Sequence, residues 1–291
     1  MKPAAFTYHR ARDVAGAATL LAELDAAGEE AKLIAGGQSL VPMMNFRLAR
    51  PRHLVDIGGL RELRYIRRAA GTGLRLGALT THRAVETAAP DVLGPDFAVL
   101  RRAMGWIGHI PIRCRGTVGG SIAHGDATAE WCLLAVLLDA VAVVQGPGRP
   151  PRVIPAGEMF LGFYTTALEA DEVIVEIRFP RPAPHAALTE FAERRGDFAT
   201  VAAAVRLDLV DGVVRGGAVA LGGVAPAPCR VPEAAAVLAA GGRPTAALFQ
   251  ECAAAAAAAV DPLDDLYGSA HYRRGLIRTL VAQACQEALP R

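Results

Sequence analysis

The five cysteines of this 291-residue chain, Cys114, Cys132, Cys229, Cys252 and Cys285, form no C-x-x-C pair and no short Cys/His spacing. That excludes a disulfide framework and an encoded iron–sulfur or zinc site. Neither charge sign dominates, with 31 Lys and Arg against 29 Asp and Glu for a net charge of +2, and no run of five like charges occurs. The footprint expected for nucleic acid or an anionic lipid surface is therefore missing. The longest apolar run, residues 131 to 144, is broken by Asp139 and is too short to cross a bilayer. The first nine residues hold no continuous apolar segment of the kind a secretory signal needs. The expectation is a cytoplasmic protein with no transmembrane segment and no nucleic-acid partner, meeting the inner face of a membrane only through other subunits.

Standard nucleotide fingerprints are missing too. There is no Gly-rich loop ending in Lys-Ser/Thr and no G-x-G-x-x-G opening a helix after a strand. Two other glycine-paired stretches are present, Ile34-Ala35-Gly36-Gly37-Gln38-Ser39-Leu40 and Arg115-Gly116-Thr117-Val118-Gly119-Gly120-Ser121-Ile122-Ala123-His124. Paired glycines followed by small hydroxyl or amide side chains let a backbone approach an anion without Cβ atoms in the way. One such pair reads as a tight turn, whereas two of the same character some eighty residues apart suit an extended ligand with linked phosphates. Ser39, His124 and Asp126 supply the residue types of a hydrolytic triad, but no G-x-S-x-G elbow accompanies them.

Periodicity predicts a helix over residues 13 to 27 capped by Asp13, then a short strand at 32 to 35 running into the first glycine stretch. Strands are predicted at 53–57, 63–66 and 73–77, and helices at 80–89 and from Asp96 towards Ile107, stopped by Pro111. A helix at 127–138 opened by Asp126 would aim its first N–H groups towards a phosphate. Strands follow at 140–144, 153–154 and 172–179. Three prolines between Pro180 and Pro184 mark a linker. Beyond it, three strands with Asp211-Gly212 as a hairpin signal precede three helices, one of them alanine-rich, which indicates a separate α+β unit.

The two glycine stretches resemble the FAD pyrophosphate loops of the flavoprotein, or medium, subunits of molybdenum hydroxylases of the aerobic carbon monoxide dehydrogenase type. The resemblance runs on through residues 165–168, 171–180, 194–199, 220–226 and 269–274. It implies an α+β chain: a two-lobed FAD-binding domain of the vanillyl-alcohol-oxidase (PCMH) type over residues 1–180, with lobes of about 1–55 and 56–180. A smaller C-terminal domain over 181–291 follows, with a three-stranded sheet plus helices. FAD is the implied cofactor, contacted by Ile34, Ala35, Gly36, Gly37, Gln38, Ser39, Leu40, Thr117, Gly119, Gly120, Ser121, Ala123 and His124. The resemblance adds Glu130 near the dimethylbenzene or ribityl side, a backbone contact at Ile174, and Asp197 with Phe198, the aromatic covering a ring face where relatives often carry Tyr. Cys114 is a departure, since Asn often stands between the two arginines. No catalytic acid, base, nucleophile or metal ligand is assigned. The implied partners are an iron–sulfur small subunit and a molybdenum cofactor large subunit, in a dimer of heterotrimers that passes electrons to quinone or NAD. A self-contained FAD oxidoreductase and a non-catalytic flavin-binding assembly factor remain the alternatives.

Overall fold

The computed structural model describes residues 1–68 and 73–290. The first lobe runs β1 (Thr7–Arg10), α1 (Val14–Ala26), β2 (Ala31–Ile34), α2 (Leu40–Asn45) and β3 (His53–Asp56). Its three strands are all parallel in the order β1-β3-β2, so each connection must cross over, and α1 supplies the first crossover. Asp13 starts that helix from extended backbone, its carboxylate accepting from the Gly16 N–H at 2.7 Å. The buried face of Ala17, Ala18 and Leu21 packs with Val55, Ile57, Leu60 and Leu79 in a small core.

The second lobe comprises β4 (Ile66–Arg68), β5 (Leu74–Gly77), α3 (His82–Glu86), α4 (Pro90–Leu93), α5 (Ala98–Ala103), α6 (Ile110–Arg115), α7 (Val118–His124), α8 (Glu130–Leu137), β6 (Val141–Gln145), β7 (Arg152–Pro155), α9 (Ala156–Met159), β8 (Phe160–Gly162), β9 (Thr165–Thr166) and β10 (Val173–Phe179). Its antiparallel sheet has the order β4-β5-β10-β6-β7. Every residue of α8 from Trp131 to Leu137 is buried, as an all-round apolar helix must be. It forms the centre of the largest core.

The last unit places β11 (Ala186–Phe191), β12 (Val201–Val210), β13 (Val213–Gly222) and β14 (Cys229–Arg230) in one antiparallel sheet, followed by α10 (Pro232–Ala239), α11 (Ala246–Ala258) and α12 (Ala270–Glu287). The expected three strands are present with a fourth of two residues. Side chains alternate between two cores: Ala186, Leu188, Ala202, Ala204, Ala218 and Ala220 pack with α8. Ala187, Val201, Ala203, Val205, Val219 and Leu221 pack with the three C-terminal helices.

Several expected boundaries shift. The helix expected at 127–138 starts only at Glu130, because Asp126 folds back to accept from the Thr128 N–H and hydroxyl, both at 2.8 Å. Residues 96–107 form a 3₁₀ turn over Pro95–Phe97 and then the short α5, not one continuous helix. Pro111 stops nothing, since it stands in the first turn of α6, where a missing N–H costs no hydrogen bond. The strand expected at 63–66 gives way to a 3₁₀ turn, Arg61–Leu63, before β4.

Arg230 joins the two units. Its guanidinium donates to the carbonyls of Val136 and Leu137, both at 2.9 Å, capping the C-terminus of α8, and to Asp139 at 2.5 Å. Arg181, from the proline-rich linker, takes the other Asp139 oxygen. Charge-assisted bonds of this kind contribute about 1.5–3 kcal/mol, so Arg230→Met should lower unfolding stability by about 1–3 kcal/mol, measured as a reduced urea midpoint with unchanged slope.

Candidate functional site

The two glycine stretches meet. A Cβ at Gly36 would lie 2.0 Å from the carbonyl oxygen of Arg115 and 3.1 Å from the Cα of Gly116, and one at Gly120 would come within 4.0 Å of the Ala35 Cβ. Only glycine permits the first of these approaches. Gly37 has φ +71°, the left-handed turn that redirects the chain from β2 into α2. The Gln38 amide donates to the Gly36 carbonyl at 3.1 Å. Among the described residues, no backbone hydrogen bond is donated by Gly36, Gly37, Gln38 or Ser39. Four consecutive N–H groups thus stay open to an acceptor from outside the chain, whereas backbone donors are ordinarily paired.

The second stretch is a helix rather than the expected loop. Thr117 caps α7, its hydroxyl accepting from the Gly120 N–H at 3.1 Å, while Val118 and Gly119 donate to the carbonyls of Thr80 and Ala78. Gly119 is required by packing, because a Cβ there would stand 2.6 Å from that of Ala78. At Gly120 a Cβ would press on the Thr117 hydroxyl at 2.7 Å. These glycines therefore bring protein to protein. The helix ends at Gly125, φ +66°.

His82 supports the junction from below. Its N–H donates to the Gly116 carbonyl at 3.0 Å, its Nε2 would stand 2.6 Å from a Cβ on Gly116, and its Nδ1 accepts from Trp131 Nε1 at 2.9 Å. Burial, with a contribution from the Arg113 charge, pushes its pKa down to about 4. The ring is neutral and carries its proton on Nε2.

The remaining expected site residues fall in four places. Ser121 and Ala123 lie on α7, and His124 at its end rests on the Tyr164 ring with centroids 5.0 Å apart, burial lowering its pKa while Asp126 opposes. No hydrogen bond joins Ser39, His124 and Asp126 among the described residues. Glu130 opens α8, where burial raises its carboxyl to about 7, with the Asp126 charge adding. Ile174 is buried at the β10 bulge, its side chain in the main core. Asp197 and Phe198 occupy the turn between β11 and β12, where Gly196, φ +90°, lies so close to the Gly108 carbonyl that a Cβ would reach it at 2.9 Å. Phe198 is 80% exposed on this pinned turn. Two residues that sequence reasoning passed over belong to the same region, His82 and Glu190. Glu190 had a signal, a carboxylate in phase with Ala186 and Leu188 along an otherwise inward-facing row.

Residues 4–182 match the family described as "FAD binding domain in molybdopterin dehydrogenase". This chain belongs to that family. Residues 186–288 match the "CO dehydrogenase flavoprotein C-terminal domain", and FAD is the cofactor of this flavoprotein class. The chain is 40% identical over 298 residues to the "6-hydroxypseudooxynicotine dehydrogenase complex subunit alpha" of Paenarthrobacter nicotinovorans, covering 100% of this chain and 97% of that one. It is 37% identical over 294 residues to the "Carbon monoxide dehydrogenase medium chain" of Hydrogenophaga pseudoflava, covering 100% and 99%. The solved quinoline 2-oxidoreductase of Pseudomonas putida 86 superposes with a TM-score of 0.92 at 33% identity, covering 99% of this chain and 98% of its own. These relatives are subunits of multi-subunit oxidoreductases of the molybdenum hydroxylase family.

The geometry fits the cofactor of an FAD-binding molybdopterin-dehydrogenase subunit. Four open N–H groups on a turn pressed against a second segment suit the oxygens of a pyrophosphate.

Two outcomes are expected. Gly36→Ala forces the Arg115 carbonyl away, so FAD content after gel filtration should fall at least tenfold while far-ultraviolet circular dichroism changes little. His82 has a folded pKa below its unfolded value near 6.5, so the unfolded chain binds the extra proton. Stability is therefore lost as pH falls from 6.5 towards 4, by about 3 kcal/mol in full. Urea midpoints measured across that range should show this loss, and His82→Gln should flatten it.

Proposed function

We propose that this chain is the electron-transferring flavoprotein subunit of a molybdenum hydroxylase complex. It holds one non-covalent FAD with the pyrophosphate between residues 34–40 and 117–121. The carrying observation is the contact of Gly36 with Arg115 beside four unpaired N–H groups. In this reading residues 1–180 hold the cofactor and 181–291 form the C-terminal domain, which lends Asp197 and Phe198 to the isoalloxazine end. Ser121, Ala123, His124 and Glu130 line the path between the two ends, and Ile174 contributes its backbone.

The FAD supplies the redox chemistry, and the protein supplies position and shielding. Electrons arrive from two two-iron two-sulfur clusters on a small subunit, fed by a molybdenum cofactor on a large one, and leave to a quinone or NAD. That reading is supported by the relatives, which are named as subunits or medium chains. A dimer of heterotrimers is the proposed assembly. No described helix is long and apolar enough to cross a membrane.

The isolated chain loaded with FAD should be reduced by dithionite yet stay oxidised with carbon monoxide, aldehydes and N-heterocycles, until the other two subunits are added. Rapid reduction by one of those substrates with this chain alone would instead identify a self-contained oxidoreductase. Phe198→Ala should raise flavin fluorescence while FAD stoichiometry falls only modestly, because ring stacking contributes on the order of 1 kcal/mol beyond burial. An unchanged emission spectrum would remove Phe198 from the ring face.

A further inference from the structure

The first lobe carries an apolar stretch that its own fold does not use. Met44 is the one buried residue of α2, while Val41, Phe46 (64% exposed) and Leu48 (76% exposed) stand in solvent. Surface helices ordinarily turn such residues inward. The exposure is held in place by backbone geometry. The N–H groups of Leu48 and Ala49 both donate to the Met43 carbonyl, at 2.9 and 3.4 Å, folding the chain back on α2. That reversal runs through Arg47, φ +59°, a left-handed conformation that long side chains rarely adopt. The N-terminal segment lies alongside: Arg47 Nε donates to the Lys2 carbonyl at 3.4 Å, and the Thr7 N–H to the Arg52 carbonyl at 2.8 Å. It adds a further exposed aromatic, Phe6.

The charge around this stretch has one sign. Residues 1–12 and 31–55 contain no Asp or Glu. Lys2, Arg47 and Arg50 have no ion pair among the described residues, whereas Arg52 is already taken by Glu29 at 3.3 Å. An apolar centre with an unpaired cationic rim is complementary to an apolar protein face rimmed by carboxylates. A second copy of this chain fits poorly, because a two-fold axis would set these cations against their own copies. An anionic lipid surface attracts each cation by only about 1 kcal/mol, and the six residues of α2 make a short membrane anchor.

The stretch also adjoins the glycine turn. The Val41 N–H donates to the Gly37 carbonyl at 3.0 Å, and its Cγ2 would stand 3.1 Å from a Cβ on Gly37. A protein seated on α2 therefore lies against the segment whose N–H groups stay open. Of the two other subunits in the proposed complex, only the electron donor has to reach the cofactor. A two-iron two-sulfur cluster held by thiolates is itself an anion and becomes more negative on reduction. A cationic rim thus favours the donor in the state that has an electron to give. We propose that Phe6, Val41, Phe46 and Leu48, rimmed by Lys2, Arg47 and Arg50, form the docking surface for the iron–sulfur subunit, which meets it with an apolar face rimmed by carboxylates. This inference rests on the subunit reading given above.

The test titrates the whole FAD-loaded chain with the cluster-loaded iron–sulfur subunit by calorimetry, after FAD content and circular dichroism have been recorded for every variant. Phe46→Ser combined with Leu48→Ser should weaken binding about thirtyfold at unchanged FAD content, as truncating interface anchors does. Lys2→Glu combined with Arg50→Glu should weaken it about tenfold at about 0.05 M salt and flatten the salt dependence of the native chain. The two double variants share no residue, so either one decides the matter if the other does not fold. Leu266→Ser, at a fully exposed apolar site on the C-terminal domain, should bind as the native chain does. Native affinity in the folded Phe46→Ser, Leu48→Ser chain, or loss of binding in Leu266→Ser instead, would overturn the proposal. So would double variants that keep the iron–sulfur subunit but lose the molybdenum subunit, self-association of this chain, or binding to phosphatidylglycerol vesicles. A native chain that binds neither subunit would be a different result, one that sinks the subunit reading itself.

Discussion

A single steric constraint, the lack of room for a Cβ between Gly36 and the Arg115 carbonyl, holds the site together. It makes the exit of a parallel three-stranded sheet touch the exit of α6, two pieces of chain from different lobes. Once they touch, Gly116 must lie over His82, and His82 must be neutral to accept from Trp131. Trp131 in turn belongs to the buried helix on which the C-terminal sheet rests. The cofactor-binding turn is thereby referenced to the centre of the largest core, through backbone contacts that tolerate no added atoms. Positioning of this kind needs no long hydrogen-bond network, since close-packed interiors transmit small displacements.

Much of the architecture was legible in the sequence. Asp13 announces α1, Thr245 and Ser269 cap α11 and α12 with their hydroxyls, and two apolar runs with Asp211-Gly212 at the tip give the β12–β13 hairpin. These are local signals, and local physics decides them. The site was legible as two segments but not as their conformations. A Gly-Gly pair disfavours helix by about 1 kcal/mol per residue, yet α7 runs through it because Thr117 caps the first turn and Ala78 leaves space only for glycine. Pro111 reads as a stop from the preceding helix, and becomes a first-turn residue only because that helix has already ended at Ala103.

Other features depend on tertiary neighbours that no window of sequence displays. Arg273 reads as one of a surface pair with Arg274, but it is buried and bound to carbonyls at the ends of β12 and β13. Arg230 caps a helix in the other domain, far from it in sequence. Glu190 stands in phase with Ala186 and Leu188, and what covers that face, the first domain, is not visible from the strand alone.

The C-terminal sheet has unlike fillings on its two sides, alanines against α8 and larger aliphatics against α10, α11 and α12. A slip of one residue in the β12 pairing would exchange them. Val201 and Val205 would then be pushed against Trp131 and its neighbours, while alanines would leave voids beneath the helices. A misregistered sheet could neither seat its own helices nor dock on the first domain. The seam therefore acts as a gauge, admitting the correctly folded C-terminal domain and leaving a mispaired one detached.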